Sequence, residues 1–270
     1  MKQLLPLLFL AIAPLAILAQ RPPKIKTVDE LVNYSDPGWK ALRKQIDTAI
    51  NKVEIMPVDT NQARLAIYET QISTESPLGT IVYMTGGLLF EDGWIRLLGS
   101  GSNRLTRSIS TWNKGKTITE IGERPPYLLI ADDALGGFFA LNLGGLGNSA
   151  GKVFYLAPAT LQWQNLEMTI PDFLHFCFDG DFEEFYKPYM SKSWHFEVTN
   201  LPADKCYNYS PPLWSKEGKK FAKSVRRFVP CEEQYNINMK LRKQFHFDED
   251  DKEAAEEEAP QMPGSTNKKY

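Results

Sequence analysis

Between Pro126 and Pro158 the chain sets three apolar runs, YLLIA (Tyr127 to Ala131), FFALNL (Phe138 to Leu143) and KVFYLA (Lys152 to Ala157), between breaks rich in Gly and Asp. Runs this short, rich in aromatic and aliphatic residues and bounded by turn formers, read as strands. Asp132, Asp133, Gly136 and Gly137 fill the first break, and the glycines of LGGLGNSAG fill the second. The stretch predicts a three-stranded meander, and an apolar sheet needs a second layer to cover it.

The flanking segments supply that layer and more strands. Thr27 followed by Glu30 suits a capping box for a first short helix. Trp39, Leu42, Ile46 and Ile50 share one face of a second helix, and an extended piece ends at Pro57. Asn61 is placed to cap a third helix carrying Ala63, Leu65, Ile67, Tyr68 and Ile72 and stopping near Thr74. SPLGTIVYMTGG reads as a further helix, with Gly86 and Gly87 as its C-cap or else as the turn before a strand. In LLFEDGWIRLLG the Asp92-Gly93 pair between apolar runs signals a hairpin, with Trp94 opening its second strand. LTRSISTWNKG reads as a short polar helix or ordered loop that serves as a surface connection, and TLQWQNLEM as a half-buried edge strand. IPDFLHFCF, with Pro171 at its first turn, reads as a helix apolar all round that buries His175 and the Cys177 thiol, and DFEEFYKPYM as a short aromatic helix. The fold class expected is α+β: a largely antiparallel sheet of about six strands with helices packed on it.

The ends of the chain carry an address and a charge pattern. Residues 1–19, with an apolar run after Lys2 that holds Pro6 and Pro14, read as a signal peptide cleaved near Ala19 and not as a membrane anchor. The protein is therefore expected to be exported, periplasmic or extracellular. A spacer over 20–26 leads into a core domain over 27–200 and a basic extension over 201–247, whose stretch from Lys205 to Phe247 has a net charge of plus seven. An acidic tail over 248–270 is expected to be disordered. Three cysteines leave at least one unpaired, and an oxidising compartment permits a disulfide between Cys206 and Cys231.

Motifs for chemistry fail on context. Gly147 to Gly151 spells G-x-S-x-G, but a nucleophile elbow needs a helix after the serine, and a strand follows here. Gly145-Leu146-Gly147 followed by Ala150 lacks the helix N-terminus that meets a pyrophosphate, so no cofactor is expected. His175, His195 and His246 are scattered, and no transition metal is expected. Asp132 and Asp133, neighbours at a strand end, point to opposite sides; they read as turn formers, or as a calcium or partner site. The aromatics of the basic extension lie beside prolines as much as beside lysines, which argues against nucleic acid.

The segments SPLGTIVYMTGGLLFEDGWIRLLGSG, LLIADDALGGFFALNLGGLG and GKVFYLAPATLQWQNLEMTIPDFLHFCFDGDFEEFY resemble the bacterial domain-of-unknown-function family DUF2625, from about Thr27 to about Gly218. More distantly, the run from Asp133 to Asn142 and the strand from Val153 to Tyr155 look like the SUKH (Smi1/Knr4-like) superfamily of α+β binding domains, which implies an immunity-protein-like role. The function expected is a non-enzymatic protein-binding module. Its partner would meet a sheet edge or face rimmed by Trp94, Asp132, Asp133, Gly136, Gly137 and Asn142, since glycine turns admit another backbone. Two alternatives stand beside it, an extracytoplasmic hydrolase using carboxylates brought together by folding, and a structural envelope protein.

Overall fold

The meander extends beyond its three predicted strands. A computed structural model describes residues 24–35, 38–221 and 224–247. Among these, seven strands form one antiparallel sheet in chain order: β1 (Val53–Met56), β2 (Gly87–Phe90), β3 (Ile95–Leu98), β4 (Tyr127–Asp133), β5 (Phe138–Asn142), β6 (Val153–Leu156) and β7 (Trp163–Met168). The extra strand is β1, the piece that ends before Pro57; it pairs with β2 from Val53 opposite Phe90 to Met56 opposite Gly87. The hairpin at Asp92-Gly93 forms with Asp92 in the left-handed region (φ +58°), but Trp94 belongs to the turn and β3 starts at Ile95.

The helices are α1 (Val28–Leu31), α2 (Trp39–Thr48), α3 (Thr60–Thr70), α4 (Pro77–Met84), α5 (Ile109–Asn113), α6 (Ile170–Asp179), α7 (Phe182–Phe185), α8 (Trp194–Thr199) and α9 (Cys231–Gln244). Thr27 and Glu30 make the expected capping box on α1. On α3 the cap is Asp59, whose carboxylate accepts from the Asn61 and Gln62 amides, and the helix ends at Thr70. α4 stops at Thr85, because Gly87 already belongs to β2. The stripe on α2 ends at Ile46, and Ile50, past the helix, is exposed.

Each face of the sheet has its own cover. Phe138 packs against Trp112 of α5 and Tyr235 of α9, whereas its neighbour Phe139, on the opposite face, packs against Tyr155 and Phe173 of α6. Burying each such ring stabilises the fold by about 1.5–3 kcal/mol. Two elements differ from expectation here. LTRSISTWNKG is not a surface connection: Leu105, Ile109, Trp112 and Asn113 are buried, and Asn113 bonds both the N–H and the C=O of Leu129 in β4. α6 is apolar on one side only; its exposed side carries His175, which meets Asp179 at 3.0 Å, while Cys177 is buried as expected.

The basic stretch folds onto the sheet. β8 (Lys205–Ser210) and β9 (Val225–Pro230) pair antiparallel, and α9 follows without a break. The Tyr207 amide donates to the Ala134 carbonyl at 2.8 Å, and Asn238 of α9 donates to the Gly136 carbonyl at 3.2 Å. The predicted signal peptide and the acidic tail lie outside the described residues.

Candidate functional site

The residues expected to rim an exposed surface are buried, and Asn142 lies at the far end of the β4–β5 ladder from Asp132 and Asp133. Trp94, Asp132, Asp133 and Asn142 are each no more than 2% exposed, and Gly136 and Gly137 are buried. Trp94 packs its ring on Tyr186 and on Trp194 of α8. Asn142 turns inward to cap the next turn, accepting from the Gly144 and Leu146 amides at 2.8 and 3.0 Å. What meets the glycine turn after β4 is the chain's own C-terminal segment: a Cβ on Gly136 would lie 2.9 Å from Gln234 Cγ and 3.2 Å from the Tyr207 carbonyl oxygen. The backbone approach that glycines permit is used within the molecule.

Asp132 and Asp133 do point to opposite sides, as neighbours on a strand must. Asp132 lies directly across from Arg96 of β3, whose Nε donates to Asp132 Oδ1 at 2.5 Å. Arg107, from the segment before α5, donates to the other oxygen of Asp132 and, through Nε, to Asp204 at 2.9 Å. Arg96 also donates to the carbonyls of Asp133 (2.6 Å), Lys205 (3.0 Å) and Gly93 (3.4 Å). Two guanidiniums thus close on one fully buried carboxylate and tie β3, β4 and the C-terminal segment together. Breaking such a pair costs more than making it contributes, because a bare charge is left inside. Two thiols complete this side. Cys206 of β8 and Cys231, the first residue of α9, are free neighbours; Cys231 Sγ accepts from Arg96 Nη2 at 3.7 Å and donates to Asp132 Oδ1 at 4.0 Å.

Asp133 faces the other layer. Its Oδ1 accepts from the Gly137 amide at 2.8 Å, and its Oδ2 accepts from the hydroxyls of Tyr155 (2.6 Å) and Tyr186 (3.1 Å). Burial pushes its carboxyl pKa up against the pull of these hydrogen bonds and of Arg96. The two tyrosine rings held this way line an apolar cleft of about 420 Å³ between the end of the sheet and the α7 region. Ala157 to Thr160 with Gln164 and Leu166 of β7 make one wall, and Phe185, Pro188 and Tyr189 the other. Glu184 is the one carboxylate in that lining. Asp133 therefore acts on the cleft through the rings it fixes, and offers it no oxygen of its own.

Other sequence readings resolve simply. Ser149 sits in the turn between β5 and β6, with β6 beginning at Val153 and no helix after the serine. Among the described residues there is no group of three or more His, Cys, Asp or Glu side chains that could hold a metal ion, and no helix is long and apolar enough to cross a membrane.

Comparison with known proteins gives the kinship of the chain. Residues 28–234 match the family described as "Protein of unknown function DUF2625". The chain belongs to this family. It is 36% identical over 221 residues to an uncharacterized protein of Haemophilus influenzae, covering 82% of this chain and 97% of that one. It is 33% identical over 223 residues to the putative uncharacterized protein YbfG of Escherichia coli K12, covering 82% and 99%. The DUF2625 match reaches past residue 200 to take in β8, β9 and Cys231, the parts that close the seam.

Arg96, Arg107, Tyr155 and Tyr186 are the site residues that sequence reasoning missed. Arg96 carried a signal: it is the single charge within WIRLLG, and a lone charge in a fully apolar strand requires a buried partner. The other three carried none, since nothing local marks them as neighbours of Asp132 or Asp133.

Proposed function

We propose that this protein is an exported, non-catalytic binding module, and that the cleft beside β7 seats an apolar side chain of a protein partner. The observation that carries the reading is the contrast between the two polar clusters and the cleft. Asp132 and Asp133 are buried and engaged by their own chain, whereas the cleft is open and walled by rings and aliphatic groups. Pockets of this kind, mostly apolar with a few polar groups at the rim, hold apolar ligand groups.

A polypeptide suits the place better than a free metabolite. β7 ends the strand order, and among the described residues no further strand pairs with its outer edge. Gln164 and Leu166, two residues apart on that strand, both line the cleft. An extended segment laid along β7 would direct one side chain in two toward this space. A single carboxylate in the lining also favours binding over two-carboxylate hydrolysis.

The test is selection of linear peptides against the full chain, followed by titration against Ala159→Trp, which fills the cleft from its wall. The expected peptides share one bulky apolar residue in an extended context and lose at least about tenfold in affinity, or about 1.4 kcal/mol, on the variant. Equal affinity for both proteins overturns the site. Tight binding of a small phenol such as p-cresol with no peptide selected overturns the choice of partner.

A further inference from the structure

The neighbouring thiols of Cys206 and Cys231 have no part in the cleft. We propose that they are a dithiol–disulfide site, oxidised by exchange with a disulfide-carrying donor, whose closed form locks β8 to the start of α9 within the C-terminal segment.

Three features of the structure carry this. First, the pair is preassembled. Cys206 lies in β8 opposite Val229, two residues before Cys231, and the Cys231 amide donates to the Asp204 carbonyl at 3.0 Å. The ladder therefore places both side chains on one face of the ribbon, within interaction range of each other. Second, the surroundings divide the roles. Burial alone would push the Cys231 thiol up, but the neighbouring Cys206 thiol and the guanidiniums of Arg107 and Arg96 outweigh burial and the Asp132 charge and leave it below its ordinary value. Cys206 is raised by its neighbour Cys231 and by burial. Cys231 also stands at the first position of a helix running to Gln244, where the dipole favours a thiolate. The guanidiniums act only while the segment is docked, but the helix N-terminus travels with Cys231, so Cys231 is the nucleophile and Cys206 the resolving thiol. Third, the third cysteine does not compete. Cys177 is buried in α6, and burial with no opposing charge pushes its thiol pKa well up.

The exchange balances with the donor as sole oxidant. The Cys231 thiolate attacks one sulfur of the donor disulfide; a Cys231–donor mixed disulfide forms, and one donor thiolate leaves and takes a proton from solvent. Cys206 then attacks the Cys231 sulfur, its proton passing to the second donor thiolate as that leaves. Two electrons move from the protein thiols to the donor, which ends as two thiols. Because both sulfurs are fully buried, a donor reaches them only before the C-terminal segment docks or while it is undocked. The site is therefore closed during folding or opening, and oxidation of the docked protein is limited by that opening.

The experiment uses the full chain, refolded in glutathione buffers from fully reduced to fully oxidised and then denatured, alkylated and weighed. The expected oxidised protein is lighter by two hydrogens and takes up one alkyl group, on Cys177, and its peptide map joins Cys206 to Cys231. Its melting temperature exceeds that of the reduced form by several degrees, a difference that vanishes in Cys206→Ser. Should that variant not fold, the wild-type comparison with and without reductant carries the test alone. Three alkylated thiols at every glutathione ratio, a bridge that includes Cys177, or equal melting of oxidised and reduced protein each overturn the proposal.

Discussion

Two hairpin turns of the central meander are built alike and used differently. The turn after β4 opens on Asp133, whose side chain caps the Gly137 amide; the turn after β5 opens on Asn142, whose side chain caps Gly144 and Leu146. Both need glycine in the left-handed region, at Gly136 (φ +85°) in one and at Gly144 and Gly151 (φ +116° and +86°) in the other. The surroundings separate them. A Cβ on Gly137 would lie 2.3 Å from Tyr155 Oη, whereas one on Gly144 or Gly151 would meet nothing within 4 Å. Gly144 and Gly151 answer only to backbone conformation, and of the second turn's glycines Gly145 makes room for the adjoining Pro126, whereas the first turn's glycines make room for side chains of other strands and of the C-terminal segment.

The largest effect should come from the strand end that leads into the first turn. Asp132→Ala leaves Arg96 and Arg107 without their shared buried carboxylate, and the expected loss is about 3–5 kcal/mol of unfolding free energy in urea. A loss within about 1 kcal/mol, the range of an exposed pair such as Arg43 with Asp47, would mean that the charged seam is not what secures the C-terminal segment.

A smaller contrast tests the turns directly. Gly137→Ala drives a methyl into the Tyr155 hydroxyl and should cost about 1–3 kcal/mol by overpacking. Gly151→Ala meets only the strain of a left-handed alanine, about 1 kcal/mol. Because Tyr155 lines the cleft, the first substitution should also weaken peptide binding and the second should leave it unchanged. Equal effects in both assays would erase the distinction between the turns.

Legibility follows the range of the interactions. The meander, the Asp-Gly hairpin, the Thr27 cap and the divergence of Asp132 from Asp133 were readable because each depends on a period of two, a turn dipeptide or a few adjacent residues. The facing of Arg96 and Asp132 depends on the register of β3 against β4, across a long connection that no local pattern fixes. Arg107 lies in a stretch without periodicity, so its burial was invisible and the stretch read as surface. The C-terminal segment misled through its charge: Lys205, Lys216, Lys219, Lys220, Lys240 and Lys243 are exposed, while Cys206, Tyr207, Tyr209, Val229 and Tyr235 are buried. A net charge describes the solvated face of such a segment and says nothing of the other face. Seen from the sequence, glycines at both turns offered room for an incoming backbone, and only tertiary structure reveals which offer is taken.

The smallest effect separates the turns by charge. Asn142 cannot titrate, but Asp133 can, and burial holds its pKa above the usual 3.8 although Tyr155, Gly137 and Arg96 favour the ionised form. An acid raised on folding prefers its proton in the native state. Its contribution to stability is therefore complete below about pH 4 and is lost as pH rises through the raised native value. Asp133→Asn removes that titration. The wild-type unfolding free energy minus that of the variant should fall as pH rises from 4 toward neutrality, by at most about 1.4 kcal/mol per pH unit for one proton. Urea unfolding of both proteins across that range measures the slope. A difference that grows with pH would reverse the assignment: the tyrosine hydroxyls and Arg96 would then hold Asp133 ionised in the native state, and the cleft floor would rest on a charge.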